Sequence, residues 1–433
     1  MATAEQYKEY LEQIANPDSC TKIARLEFLN PDNTVAYALD NNYKRRYNQA
    51  DSRTFIQDGS LNVSLNNGQR RKATITLENL DGAFDYAVNK LWFGKRVRLS
   101  MGIRLKSGYD FYTPQGIFYF DDPSISWQPN LRQASYSLSD KWAYLDGTLF
   151  GNLESTYEVP INSNIFEAMQ ALLRLSVFTH NPTTNITEMI DNIQPVFTSF
   201  YNNRTVTSNG QAIPMSLTPS TLSVDMQSTY ADVMLRLNDF LVGWIGYDET
   251  GALRLDASQE DLVDISKPVL WDYSANSKTF LGLEESARPT EVYNDVIVWG
   301  ETLDGGVVGA RSTNRDPQSD TNANVIGLKT YTESSDILYT AEQCTAQAEW
   351  TLKRKTVLQK SVTFSSSQLF HLRENNLVTV LRTDKEGSPI ERHLIQSYSL
   401  PIGTSGAMSI TATSANDFPL VETKAIDVSQ GVT

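Results

Sequence analysis

Residues 61–82 read LNVSLNNGQRRKATITLENLDG. Apolar and polar residues alternate on both sides of Asn66-Asn67-Gly68. A turn of this kind between two alternating runs is a strong hairpin signal, because Asn and Gly accept the positive φ angles that tight hairpins need. The same reading extends along the neighbouring chain. Thr21 to Leu29 alternates weakly, and KRVRLSMGI (95–103), GIFYFDDPSISW (116–127) and QASYSLSDKW (133–142) follow without a long helical pattern between them. Short strands at this spacing predict a barrel or sandwich over 20–150.

The pattern then changes. IFEAMQALLRLSVF (165–178), preceded by Ser163, places Ile165, Met169, Leu172 and Leu173 on one helical face. Residues 181–224 are rich in Asn, Thr and Ser and predict a long surface excursion. In TYADVMLRLNDFLVGWIGYDETGALRLD (229–256), Thr229 is an N-cap and Asp232 sits near the positive end of the helix dipole. Val233, Leu237, Phe240 and Leu241 form its apolar face, and Gly243 is the expected stop, since glycine enters the left-handed conformation without penalty. A period-two ribbon follows, turning at Asp248-Glu249-Thr250-Gly251, with Leu253 and Leu255 on its far side. The unit reads as a packing element.

Strand patterns return and end in EVYNDVIVWG (291–300). Residues 301–338 are polar and Gly-rich, with Arg315 to Asp320 at their centre, and 305–320 suits a loop between subunits. Thr340 and Gln343 make a capping box for a helix at 341–355. Cys344 lies on that helix's Ala341, Ala348 and Leu352 face, so burial accounts for it. The organisation is an N-terminal helix over 1–19, a first β domain over 20–150, an α/β middle domain over 151–285, a second β domain over 286–415 and a tail over 416–433. The first helix, with Tyr7, Tyr10, Leu11 and Ile14 on one side, is expected to be exposed or bound to a partner.

Three pairs of segments match in order: 93–102 with 374–383, 116–120 with 392–398, and 134–140 with 408–417. Short β strands resemble one another by chance, so the match alone leaves a duplication open. If it holds, two related barrels lie in one chain.

A chain of 433 residues exceeds a single core, so two to four domains are expected. With 40% apolar and 20% charged residues it is an ordered, soluble protein. No apolar run reaches membrane-spanning length, and the start lacks a signal-peptide core. Cys20 and Cys344 are the only cysteines; a reduced compartment is the simpler reading.

The net charge is −14, but residues 21–110 carry 15 Lys and Arg against 9 Asp and Glu, a balance of +6, leaving −20 elsewhere. The acidic body argues against bulk nucleic-acid binding. Lys44-Arg45-Arg46 and Arg70-Arg71-Lys72 are either solvated turns or a basic face docking on an acidic neighbour.

Candidate chemistry is sparse. His371 lies four residues from Ser367, but the serine sits in a polar strand without a nucleophile elbow. Glu284 and Glu285 are adjacent in an extended segment and point to opposite faces, which a glycosidase pair cannot do. Asp316 to Asp320 lacks the ligand spacing of a calcium loop. No P-loop or dinucleotide fingerprint is present, and no cofactor or metal is expected.

LENLDGAFDYAVNKLWFGKRVRLSMGI (77–103), followed by GIFYFDDPSISW and SYSLSDKWAYLDG (135–147), resembles the first barrel of phage tail hub or baseplate proteins. These are relatives of the central hub of contractile tails and of the hub part of type VI secretion spikes. The 229–256 unit is similar to the helix and hairpin of their middle region, and NDVIVWGETLDGG (294–306) to the start of their second barrel.

The resemblance implies a mainly β fold with an α+β middle region: two tube-like β-barrel domains joined by a helix-containing domain. It implies a homotrimer forming a pseudo-sixfold ring in the virion. A tail tube or distal tail protein would lie above it, and a spike, fibre or tip protein below. DNA would pass through the lumen without specific binding, and no membrane is involved. Three copies would carry about −42, three times −14, and an acidic lumen would repel phosphates. The chain ends soon after the second barrel, so cell-wall digestion is expected of another protein. Candidate interface residues are Lys44, Arg45, Arg46, Arg70, Arg71, Lys72, Arg315 and Asp316. Aromatic content leaves a carbohydrate- or receptor-binding tail module as the alternative, with a cell-wall hydrolase behind it.

Overall fold

The structure, a computed structural model, describes residues 3–30, 33–41, 56–79, 82, 84–85, 95–128, 131–174, 194–195, 205–208, 211–214, 216–218, 220–241, 243–256, 267–287, 290, 292–302, 305–335, 338–356, 360–403, 406–414 and 421–426. The chain opens with helix α1 (Ala4–Ile14), then strands β1 (Thr21–Leu29), β2 (Val35–Asp40), β3 (Ile56–Ser64), β4 (Arg71–Glu78), β5 (Arg96–Arg104), β6 (Asp110–Gln128) and β7 (Leu131–Asp140). The expected hairpin is β3–β4, with Gly68 at φ 87°. Leu61, Val63, Ala73, Ile75 and Leu77 point inward and Asn62, Lys72 and Thr74 outward, as the period-two pattern requires. The strands lie in the order β3-β4-β7-β6-β5-β1-β2.

Helix α1, expected to be exposed or bound to a partner, packs one side against its own chain. Its Tyr10 and Ile14 are buried in the core of the same chain, and the Tyr10 ring stacks on Phe111 at 4.5 Å. Burying that apolar stripe removes it from water, which satisfies an amphipathic helix within one molecule. Tyr7 stays 41% exposed.

The middle region holds β8 (Tyr157–Val159), α2 (Ile165–Leu173), β9 (Gln194–Pro195), β10 (Thr205–Ser208), β11 (Gln211–Pro214), β12 (Leu222–Val224), α3 (Tyr230–Leu241), β13 (Trp244–Tyr247) and β14 (Leu253–Asp256). Asn164 caps α2 by accepting from the N–H groups of Phe166 and Glu167. Thr229 and Asp232 cap α3 reciprocally, with Thr229 N donating to Asp232 Oδ2 and Asp232 N to Thr229 Oγ1. The apolar faces of both helices meet in a second core with Trp142 and Leu145. Most of 181–224 lies outside the described residues.

The second half begins with β15 (Val269–Asp272) and β16 (Phe280–Ala287). A separate unit follows: β17 (Asp295–Glu301), β18 (Val307–Asn314), α4 (Ala323–Ile326), β19 (Thr330–Ser334) and α5 (Ala341–Thr356). The sheet then resumes with β20 (Lys360–Ser366), β21 (Leu377–Leu381), β22 (Ile390–Pro401) and β23 (Met408–Ser414), and β24 (Val421–Ala425) returns to the separate unit. That unit is a four-stranded sheet, β19-β17-β18-β24, with Cys344, Ala348 and Leu352 of α5 packed on Val296, Val298 and Ala310. The capping box of Thr340 and Gln343 is formed.

The two halves share one strand order. β3, β4, β7, β6 and β5 lie side by side, antiparallel throughout, and so do β16, β20, β23, β22 and β21. Two irregularities coincide as well, although the shift between Leu99 and Ser100 in the β5–β6 ladder has no counterpart between β21 and β22. A bulge between Ile56 and Asp58 in β3 recurs between Phe280 and Gly282 in β16. A bulge between Phe120 and Pro123 in β6 recurs between Ile395 and Ser397 in β22. The three matching segment pairs in the sequence fall on β5 and β21, β6 and β22, and β7 and β23. The halves differ outside this set: β1 runs antiparallel to β5, whereas β15 runs parallel to β21.

The mainly β expectation holds, but the described strands do not form two separate closed barrels. Ser397–Pro401 of β22 reaches past β21 and takes β3 on its open edge, so thirteen strands make one continuous sheet around one core. An unpaired strand edge is satisfied by whichever strand the fold brings beside it.

Candidate functional site

The ribbon β13–β14 lies on the β3–β4 turn. Gly68 N donates to Ile245 O at 2.9 Å, and Ile245 N donates to Asn67 Oδ1 at 3.0 Å. The approach is close enough that a Cβ on Gly246 would lie 2.4 Å from Arg70 Nε. The ribbon's own turn is tied by Asp248 Oδ1, which accepts from Thr250 N at 2.8 Å and Ala252 N at 3.0 Å. Behind the ribbon stands α3, whose Val233, Leu237, Phe240 and Leu241 are buried. Asn238 Nδ2 donates to Gly243 O at 2.9 Å and holds the helix end against the ribbon start.

A buried charge cluster joins all three regions. Arg71, wholly buried in β4, donates from Nη2 to Glu374 Oε1 at 2.8 Å and Oε2 at 2.7 Å, and from Nη1 to Gln115 O at 3.2 Å. Glu374 precedes β21, and Glu249 of the ribbon turn approaches the same Nη2 at 3.9 Å. Arg373 reaches back, its Nε 3.5 Å from Glu249 and its Nη2 donating to Pro114 O at 2.9 Å. Burial opposes the charge on Arg71, but Glu374, Tyr398 and Glu249 together push its pKa up. Burial likewise works against the Glu374 anion, and Arg71 with Arg70 holds it below the ordinary glutamate value. Asp140 Oδ2 accepts from the backbone N–H of Arg70 at 3.0 Å and Arg71 at 2.9 Å, and Oδ1 from Trp142 at 3.1 Å. Burial pushes its pKa up to about 6 against those three donors.

A second contact ties α1 to the far half of the sheet. Tyr10 Oη lies 3.0 Å from His371 Nδ1, and the His371 ring meets Trp271 edge-on at 5.1 Å. Burial, with Arg373 adding to it, pushes the His371 pKa down to about 3 and keeps the ring neutral. Thr113 Oγ1 and Gln115 Nε2 both donate to Phe370 O, at 3.0 and 2.9 Å.

His371 Nδ1 is engaged by Tyr10, and Ser367 Oγ has no hydrogen-bond partner, so no base serves the serine. Glu285 pairs with Arg382 at 2.9 Å while Glu284 is exposed beside it. Asp316 Oδ1 accepts from Gln318 N in its own turn at 2.9 Å. Among the described residues no three His, Cys, Asp or Glu side chains could hold a metal ion together. An open depression of about 480 Å³ at the junction is lined by Ser64, Leu65, Asn66, Asn67, Trp244, Gln396 and Ser397, none of them ionisable.

Of the sequence candidates, Lys44, Arg45 and Arg46 lie outside the described residues. Arg70 and Arg71 are buried at the junction, and Lys72 is exposed on the outward face. Arg315 lies apart, donating to Asn324 Oδ1 at 2.8 Å and 3.2 Å from Glu422, with Asp316 half-buried next to it. Sequence reasoning missed Glu374, Glu249, Asp140 and the Tyr10–His371 contact. One signal was available: Arg71 shares the alternation of Ala73, Ile75 and Leu77, and so had to face inward.

No protein-family model matches the chain, and neither does any curated protein. Solved structures do. A tail protein from Neisseria meningitidis aligns over 91% of this chain and 96% of its own, with a TM-score of 0.55 at 7% identity. The 43 kDa tail protein of prophage MuSo2 from Shewanella oneidensis aligns over 90% and 98%, with a TM-score of 0.53 at 12% identity. The chain shares the fold of these two tail proteins, in line with the resemblance of the run at 77–147 to tail hub or baseplate proteins.

Proposed function

We propose that this chain is a structural, non-enzymatic hub of a phage tail or baseplate. In this reading three copies form a pseudo-sixfold ring that links the tail tube to the central spike or tip. The observation that carries it is the strand order repeated within the chain, down to the positions of two bulges. A molecule with two like modules presents six of them in three copies, so it can seat on a sixfold tube and offer threefold symmetry below. The fold shared with two bacterial tail proteins over nine-tenths of the chain supports the same reading.

The junction then has a mechanical role. The helix-backed ribbon, the Arg71–Glu374 pair and the Tyr10–His371 contact hold the two modules at a set angle. Lys44, Arg45, Arg46, Lys72, Arg315 and Asp316 are the contact candidates for a distal tail protein above and a spike, fibre or tip protein below. The net charge of −14 per chain suits a lumen that DNA crosses without sticking. Mass photometry and negative-stain images of the purified protein test the proposal. A ring at three times the chain mass of 48.5 kDa is expected, and a persistent monomer at micromolar concentration overturns it.

A further inference from the structure

We propose that β16 of one copy adds, antiparallel, to the open far edge of β6 in the next copy, so that neighbouring chains are joined as β22 and β3 are joined within one chain. The number of copies rests on the ring reading above; the junction itself rests on register.

Within the chain, β22 has two parts. Ile390–Leu394 pairs with β21, and Ser397–Pro401 extends beyond it to pair with β3. β6 is built alike. Asp110–Tyr119 pairs with β5, and Pro123–Gln128 extends beyond it, with β7 on one side and no partner on the other among the described residues. β3, the first strand of its module, fills the open edge of β22. β16, the first strand of the other module, ends the thirteen-stranded sheet, and among the described residues only β20 pairs with it. Among the described residues, one chain thus carries one filled junction, one strand edge at Pro123–Gln128 with a neighbour on one side, and, in β16, a sheet-end strand of the type that fills such an edge. Such edges are templates for strand addition.

The matching bulges fix the register. Aligned through them, Tyr398–Pro401 corresponds to Pro123–Ser126, and Ser60–Val63 to Glu284–Ala287. The internal pairs Ser399–Asn62 and Leu400–Leu61 then become Ser124–Ser286 and Ile125–Glu285 between chains.

Burial points the same way. Ile402, whose N–H donates to Gly59 O just past the ladder, is wholly buried at the internal junction. Its counterpart on β6 is Trp127, which is 72% exposed in the single chain. Strand addition at this edge would cover Trp127 as β3 covers Ile402, removing its apolar surface from water. Pro123 stands where β22 has Tyr398 and lacks an N–H, so the junction between chains is one donor poorer than the one within. The contact is heterologous, end to opposite end, and closes into a ring when the rotation allows.

Cross-linking tests this. Leu65 N donates to Gln396 O and Ile402 N to Gly59 O, so Ser399 and Asn62 between them face each other as a non-hydrogen-bonded pair. Such pairs have Cα atoms about 4.5 Å apart, within disulfide range. On oxidation, S124C/S286C should run as covalent dimers and trimers on non-reducing gels. S124C alone and S286C alone should stay at single-chain mass, and N62C/S399C should close within one chain. Trp127→Ala, at an exposed position, should keep the single-chain fold and weaken assembly about tenfold. Trimers by mass without a cross-link would overturn the junction and leave the ring reading standing. A monomer without a cross-link would overturn both. Covalent ladders running past three chains would keep the junction and overturn the number three.

Discussion

Arg71 shows how one residue can hold a fold together without doing chemistry. Its guanidinium is out of water, and its bidentate partner Glu374 comes from the other half of the sheet. Removing one member of a buried pair strands the other charge, at a cost of roughly 3–5 kcal/mol. Glu374→Ala should therefore lower the urea midpoint sharply, and R71M/E374L should recover much of the loss. His371 gives a pH signature. Its pKa is about 3 in the folded chain against an ordinary 6.5, so the unfolded chain binds the proton first. The stability it contributes is fully present above pH 6.5 and is lost as pH falls toward 3. Between pH 7.5 and 5.5 that amounts to roughly 1 kcal/mol. Thermal unfolding should show the slope, and His371→Gln should flatten it. Asp140 has the opposite sign: raised to about 6, it favours the folded chain as pH drops below that value.

Among the elements, the ribbon depends on two backbones approaching closely. Gly246 has no room for a Cβ against Arg70, and Gly251, at φ 78°, would press a Cβ 2.7 Å from Ile117 Cγ1. Gly246→Val should overpack the contact by about 1–3 kcal/mol. Faster hydrogen exchange over both 244–247 and 66–70 would locate the damage at the ribbon–turn contact; unchanged exchange at 66–70 would mean that the ribbon does not brace that turn. Helix α1 is an element of the same kind. Tyr10→Phe removes its hydrogen bond to His371 and should cost about 1 kcal/mol, read as a drop in melting temperature.

At the scale of the molecule, a strand order that occurs twice organises the sheet. Two modules with the same strand order share an edge through β3 and β22 and carry one further unit on the β16–β20 connection. In the proposed ring, β16 of one copy would add to the Pro123–Gln128 edge of β6 in the next. If the ring forms by strand addition, its assembly should depend weakly on ionic strength, because backbone hydrogen bonds and apolar burial are not screened. If instead the basic segments at 44–46 and 70–72 carried the contact, sedimentation at 0.05 M and 0.5 M salt would differ severalfold. Arg71 has little left to give such a contact, since its charge is already compensated inside the chain.

The sequence by itself determined the local structure. Alternation placed the strands at 61–82 and 95–142, Asn66-Asn67-Gly68 made the turn, and Thr229–Asp232 and Thr340–Gln343 started helices. These signals act over a few residues, so they can be read in place. The resemblance of 77–147 to tail hubs also held at the level of the fold. Only the tertiary structure decided what met across long stretches of chain: Arg71 with Glu374, Tyr10 with His371, β3 with β22, and α1 with the core of its own chain. Strand edges and charges are generic in chemistry. Which of them come together is set by the shape of the whole sheet, and no short pattern records it.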